Sequence, residues 1–186
     1  MTVQKIGAIL GFDPFSHRLD RNVRNTLGAA LISAVLHTTP DAIDACALQW
    51  HRTTLPKACR TYLSDRLTDY RAVLADLRMT RAIAEDNTAR VLWNRGLFFE
   101  CHEWLEIFWH RSHPPRKTAL QGWIMAAGAF SQLQSGRRSA ARSLARKAAA
   151  RLSATSRCLA TIENLDELIH GLGADPPIAT VLRLKC

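Results

Sequence analysis

Apolar side chains recur at steps of three and four residues along most of the chain. In the first third, Leu19, Val23 and Leu27 share one face of a helix that the pattern predicts over residues 16–36. Runs of alternating β-branched residues bounded by hairpin turns are not found. The sequence therefore predicts an all-α fold.

Proline, glycine and capping residues divide this pattern into helices. Thr39-Pro40-Asp41 is typical of a helix start, whereas Pro114-Pro115 forces a break because proline has no backbone donor. After the first helix, the predicted ranges are about 41–50, 63–77, 86–95 and 97–111 (separated only by Gly96), 117–134, 138–154, and a last helix ending near residue 171 or 173. We expect a compact, single-domain bundle of about six to seven helices, followed by a tail from Asp175.

Length and composition fit one globular domain over residues 1–186, since 47% of residues are hydrophobic and 22% charged. The longest apolar stretches, such as residues 27–36, are too short to span a bilayer, so no membrane association is expected. Five scattered cysteines predict reduced, mostly buried thiols. Because no cleavage pattern follows the N-terminal residues, the expected location is cytoplasmic.

The formal net charge of +9 raises the question of an anionic partner. Arg138, Arg142 and Arg146 repeat at four-residue steps opposite an apolar stripe, which predicts an amphipathic helix with a basic outer face. Groups for base readout or stacking are missing nearby, and a solvated basic face is the common outcome. The sequence therefore disfavours nucleic acid as a partner.

The densest chemical information lies in residues 94–109. His102, Glu106 and Trp109 are spaced i, i+4 and i+7, so they share one stripe of a helix. An imidazole and a carboxylate one turn apart can bind one divalent ion. Glu103 directly follows the histidine, as does the glutamate that activates water on the zinc-protease helix. Two interpretations stay open: a metal site, or a hydrogen-bonded polar cluster without catalysis.

Two further polar residues also allow two interpretations. Gln121 can orient the His102 ring or form a hydrogen bond between helices, because an amide both donates and accepts. Asn94, just before Gly96, can be an active-site amide or a capping residue at a helix break.

The pattern Asn94-x-Gly96-x-Phe98-Phe99-Glu100-Cys101-His102-Glu103-x-Leu105-Glu106-x-x-Trp109, with Leu120-Gln121-Gly122 and Gly136 after it, resembles a bacterial and archaeal family, domain of unknown function 309. The resemblance covers about residues 87–152. It implies helices outside the family in 1–86, a family-like core in 87–152, and a C-terminal helix and tail in 153–186. Where such proteins commonly have a second glutamine and a histidine, this chain has Met125 and Ser131.

The family is grouped as predicted metal-dependent hydrolases. The resemblance implies that His102 and Glu106 bind one divalent metal ion, that Glu103 and His102 are catalytic, and that Asn94, Trp109 and Gln121 line a pocket for a small-molecule substrate. The alternative is a non-catalytic structural or protein-interaction module. The substrate, the metal and the oligomeric state, including a homo-oligomer, stay open.

Overall fold

The computed structural model describes residues 9–39, 41–80 and 85–185, and of Thr80 only the backbone. Contacts between Cα atoms group the chain into two compact units, which divide between residues 83 and 84. The prediction of one domain over residues 1–186 stays a prediction.

The unit before residue 84 is built from three helices. These are α1 (Arg18–His37), α2 (Asp41–His51) and α3 (Lys57–Thr80). Their buried side chains recur at helical spacing, as Val23, Leu27 and Leu31 do on α1, because one apolar face of each amphipathic helix must leave water. The rings of Phe12 and Tyr62 stack with centroids 4.0 Å apart and extend this core.

The unit after residue 84 contains the remaining helices. These are α4 (Glu85–Asn94), α5 (Phe98–Arg111), α6 (Arg116–Gln134), α7 (Arg138–Thr155), a short 3-10 helix (Ser156–Leu159) and α8 (Leu165–Gly173). Helix α6 packs against both α5 and α7. A Cβ on Gly122 would lie 3.0 Å from Cγ of Leu152, so α6 and α7 approach each other closely there.

A tight turn and an aromatic cluster set the direction of α5. Gly96 has a φ of +70°, in the left-handed region that favours glycine, and it separates α4 from α5. Trp93, Phe98 and Phe130 are fully buried, and the Trp93 ring makes edge contacts with both phenylalanines at centroid distances of 5.1 and 5.3 Å. These contacts join α4, α5 and α6.

The segment after α8, which the sequence predicted as a tail from Asp175, has no helix and is fixed to the same unit. Ile162 and Leu184 form an isolated antiparallel bridge, and Ala179 and Leu182 are buried. The Trp93 indole donates a hydrogen bond of 2.8 Å to the Thr180 carbonyl. These partners lie up to 87 residues apart in the chain.

The all-α prediction is confirmed for the described residues, which form no β-strand beyond that isolated bridge. The predicted number of helices was too low, because the described residues form eight α-helices. Gly96 separates α4 from α5 completely, and α3 begins at Lys57, ahead of the first apolar residue used to predict it. No described helix combines the length and apolarity that crossing a bilayer requires.

Candidate metal centre

Helix α5 places its polar side chains at the edge of the core. Phe98, Cys101, Trp104 and Leu105 are buried and hold one face of the helix against its neighbours. His102, Glu103, Glu106 and Trp109 lie next to that face and are half-buried. Such a position keeps imidazole and carboxylate groups accessible to small molecules while the helix that carries them is anchored.

The three ionisable side chains converge. Ligand atoms of His102, Glu103 and Glu106 all lie within 4.8 Å of one another, so this group can hold a metal ion. Nε2 of His102 is 3.3 Å from Oε1 of Glu106, and the two side chains are 30% and 41% exposed. Because ligands lie roughly 2.1 Å from a tetrahedral zinc ion, neighbouring ligand atoms around one ion are about 3.4 Å apart. The distance between His102 and Glu106 fits that geometry, whereas for Glu103 the 4.8 Å limit shows only that its carboxylate is near.

The other ring nitrogen of His102 faces helix α6. Nδ1 lies 3.3 Å from the carbonyl oxygen of Ile124, and because a carbonyl can only accept, this contact requires a proton on Nδ1. In the neutral ring Nε2 then carries a lone pair and faces the Glu106 carboxylate. Two acceptors at that distance need either a cation between them or a proton on one of them.

Helices α5 and α6 run antiparallel through this region. His102 is level with Ile124 and Gly128, and seven residues further along α5 the Trp109 ring lies under Nζ of Lys117 at 4.8 Å. Glu106, between these two levels, is therefore level with Gln121, which is half-buried. Sequence reasoning missed Lys117 and Ile124. Lys117 lies four residues before Gln121 on α6, and this spacing could have indicated that both face α5. Ile124 contributes its backbone carbonyl, which no residue type indicates in the sequence.

Three predicted pocket residues have different surroundings. No hydrogen bond joins Gln121 to His102 among the described residues, and the Ile124 carbonyl takes Nδ1 instead. The Asn94 amide donates to the Leu182 carbonyl at 2.9 Å and accepts from the Leu182 N–H at 2.7 Å. Trp109 shares the stripe with His102 and Glu106, and within the described part of the chain its buried indole nitrogen has no hydrogen-bond partner. The pocket role of these three residues stays a prediction.

A cysteine neighbours the cluster without belonging to it. The Cys101 thiol is fully buried on the core side of α5 and donates to the Ala89 carbonyl at 3.4 Å. Burial raises the pKa of this thiol well above its ordinary range, and the charge of Glu100 raises it further. A protonated thiol is a poor metal ligand, so the donor set is one imidazole and two carboxylates.

Comparison with known proteins identifies part of the chain. No curated protein and no solved structure matches this chain. The model of one family, Domain of unknown function (DUF309), matches residues 87–144, which contain most of α4, all of α5 and α6, and the first part of α7. The match confirms the resemblance and ends eight residues before the limit of 152 expected from the sequence. The segment that carries His102, Glu103 and Glu106 therefore lies within the part of the chain that matches the DUF309 family.

Proposed function

We propose that this protein is a metal-dependent hydrolase whose centre is formed by α5, with His102 and Glu106 as ligands of one divalent ion. The observation that carries the proposal is the pair of contacts made by His102. Nδ1 lies against the Ile124 carbonyl, and Nε2 faces Glu106 at 3.3 Å. Histidines that bind metals usually donate their second ring N–H to a carbonyl or carboxylate in this way.

Each residue of the proposed site would have a role that follows from its position. His102 and Glu106 would hold the ion, since imidazole nitrogen and carboxylate oxygen are both ligands that zinc takes in proteins. When bound, such an ion supplies Lewis acidity that polarises a substrate carbonyl or phosphoryl oxygen. Glu103, whose carboxylate belongs to the same cluster, would accept a proton from the attacking water and return it to the leaving group. Gln121 and Trp109 would orient the substrate.

The first test is metal content. The full chain is loaded with Zn²⁺ or Mn²⁺, dialysed and analysed for bound metal per chain. We expect about one ion, lost in His102→Ala and in Glu106→Gln, with circular dichroism showing that the helices persist. His170→Ala is the matched control, because His170 is exposed on α8, outside the cluster. No retained metal in the loaded wild type would contradict the proposal.

The second test separates binding from catalysis. In Glu103→Gln we expect metal content close to that of the wild type. Hydrolysis of a panel of chromogenic carboxylic and phosphate esters should fall about 10²- to 10⁴-fold, the usual contribution of a general base. If Glu103→Gln instead loses the metal while keeping its helices, Glu103 is a ligand and the base lies elsewhere.

One observation favours a second candidate, a structural module without catalysis. The same His102 contacts connect the side chains of α5 to the backbone of α6, and a proton on Nε2 would satisfy the Glu106 carboxylate as well as a metal does. This alternative predicts no metal after loading. It also predicts that His102→Ala lowers the free energy of unfolding by about 1–2 kcal/mol, because a hydrogen-bonded pair is lost.

A further inference from the structure

The unit before residue 84 contains a cavity that lies outside the segment matched to the family. The cavity is about 220 Å³ in volume and lies between the end of α2, the loop after it and one face of α3. Its lining residues on α3 follow one another at steps of three and four residues, so they form a continuous stripe along one side of that helix.

The floor of the cavity is apolar. Leu55, Leu63 and Leu67 are between 2% and 7% exposed, and Trp50 adds a half-buried aromatic wall. The Trp50 ring is held in place because its indole N–H donates to Oγ1 of Thr26 at 3.0 Å. An apolar floor with an aromatic wall suits the hydrocarbon or ring part of a ligand.

The rim of the cavity is cationic. Arg60 and Arg71 lie eleven residues apart on α3, three helical turns, and both line the cavity. Arg60 donates one hydrogen bond to the Leu55 carbonyl. This bond uses only one of the five N–H donors of the Arg60 guanidinium. Arg71 pairs with Asp44 at 3.0 Å, and since both side chains are about two-thirds exposed, this ion pair is weak and can exchange partners.

Hydroxyl groups complete the rim between the two arginines. Ser64 and Thr68 both line the cavity, at positions i+4 and i+8 relative to Arg60. The Thr68 hydroxyl donates to the Ser64 carbonyl at 3.1 Å, and its oxygen can still accept. The two arginines and the Ser64 hydroxyl present donors on one side of an apolar floor, the arrangement that recognises one end of an amphiphilic molecule.

We propose that this cavity binds a small hydrophobic carboxylate, with the apolar body on the leucines and Trp50 and the carboxylate at one of the two rim arginines, Arg60 or Arg71. A volume below the roughly 300–1,000 Å³ of drug-sized pockets limits the ligand to a small one. The planar guanidinium forms paired hydrogen bonds to a carboxylate, which neutral analogues cannot match. The inference is independent of the hydrolase proposal, because it uses none of the residues of α5 or α6.

The test uses the full chain labelled with ¹⁵N-tryptophan, with the Trp50 indole resonance assigned through Trp50→Phe. Benzoate is titrated against benzamide, which has the same ring but no charge, and against acetate, which has the charge but no ring. We expect a saturable shift of the Trp50 resonance by benzoate, with a Kd at least about tenfold lower than for benzamide or acetate. Equal affinities for benzoate and benzamide, or no shift at Trp50 in millimolar benzoate, would overturn the proposal.

Variants locate the carboxylate. Of Arg60→Gln and Arg71→Gln, the variant that removes the contacting guanidinium should raise the Kd for benzoate several-fold to about tenfold. Unchanged affinity in both variants would contradict the proposal. Arg71 is the safer position, because its pair with Asp44 is exposed and its loss leaves the fold intact. Arg78→Gln is the matched control, since Arg78 is exposed on α3 and does not line the cavity. If Arg78→Gln weakens benzoate as much as Arg71→Gln does, the effect is general attraction to a basic protein and the proposal fails.

Discussion

Asn94 shows how a single side chain can be structural where sequence alone leaves two roles open. It is the last residue of α4, and its amide makes two hydrogen bonds to the backbone of Leu182, 88 residues away. Both the donor and the acceptor of the amide are therefore used within the fold. The two bonds are like those between paired residues of neighbouring β-strands, except that the side-chain amide of Asn94 takes the place of one backbone.

We predict that Asn94→Ala lowers the free energy of unfolding by about 2–4 kcal/mol, because it leaves the N–H and C=O of Leu182 unpaired in a buried place. Urea denaturation of the full chain measures this effect. Asn22→Ala is the control, since Asn22 is exposed on α1 and should cost less than about 0.5 kcal/mol. If Asn94→Ala leaves stability unchanged but alters metal content or hydrolysis, the result would instead support a role for Asn94 in the pocket of the metal centre.

The sequence predicted the cluster on α5 because its members are close in the chain. Helical geometry places His102 and Glu106 one turn apart, and the structure brings Glu103 into the same group. The partners of these residues could not be predicted in the same way. The Ile124 carbonyl belongs to another helix and carries no residue-type signal, and the pairing of Asn94 with Leu182 depends on how the end of the chain folds back.

At the scale of helices, two glycines on α6 have different surroundings. A Cβ on Gly122 would meet Cγ of Leu152 at 3.0 Å and Cβ of Arg151 at 3.2 Å, so α7 limits this position. A Cβ on Gly128 would meet Cδ1 of Leu144 at 3.7 Å and Nδ1 of His102 at 3.8 Å, which is ordinary van der Waals contact. Alanine substitutions at the two positions therefore separate the effect of close helix packing on stability from the effect of helix propensity.

We predict that Gly122→Ala destabilises the protein by about 1–3 kcal/mol, because α6 and α7 must move apart. Gly128→Ala should be neutral or stabilising by up to about 1 kcal/mol, since alanine favours a helix more than glycine does. Thermal and urea denaturation of the two variants provide the comparison. Equal destabilisation by both substitutions would mean that the two glycines are equally confined, contrary to the distances at Gly128.

Helix bounds were well predicted where the sequence has local breaks. Gly136 follows α6, and Pro114-Pro115 precedes it, so the predicted range 117–134 differs by one residue from Arg116–Gln134. The start of α3 was missed because Lys57 to Tyr62 precede the apolar repeat used to find that helix. The fixed segment after α8 was missed because its bonds to Trp93, Asn94 and Asn164 come from residues distant in the chain. Tertiary contacts of this kind leave no local pattern.

At the scale of the whole molecule, the excess positive charge has a particular origin. Between Glu106 and Glu163 the chain has no acidic residue and ten lysines and arginines. Several of these cations are already used. Arg116 pairs with Glu85 and Asp86, and Arg142 pairs with Asp175. Burial alone would lower the pKa of Arg116, but its two acidic partners outweigh burial and raise it.

The basic face of α7 is therefore weaker than its composition indicates. Arg138, Arg146 and Lys147 are exposed, and none of them has an acidic partner among the residues that the structure describes. With three cations available, counterion release predicts a slope of about −3 for log affinity against log salt on duplex DNA. Dedicated DNA-binding proteins, which contact roughly six to ten phosphates, show much steeper slopes.

We accordingly predict weak DNA binding that depends on general charge, measured by fluorescence anisotropy with a labelled duplex between 50 and 200 mM salt. Arg146→Gln should reduce the slope by about one, because one phosphate contact is lost. Arg142→Gln should change it less, because Asp175 already neutralises that guanidinium at 2.7 Å. A slope near −6 or steeper in the wild type would require cations from outside α7 to act together with this face. A slope that steep would support nucleic acid as a partner of this protein, independently of the metal content measured for the cluster on α5.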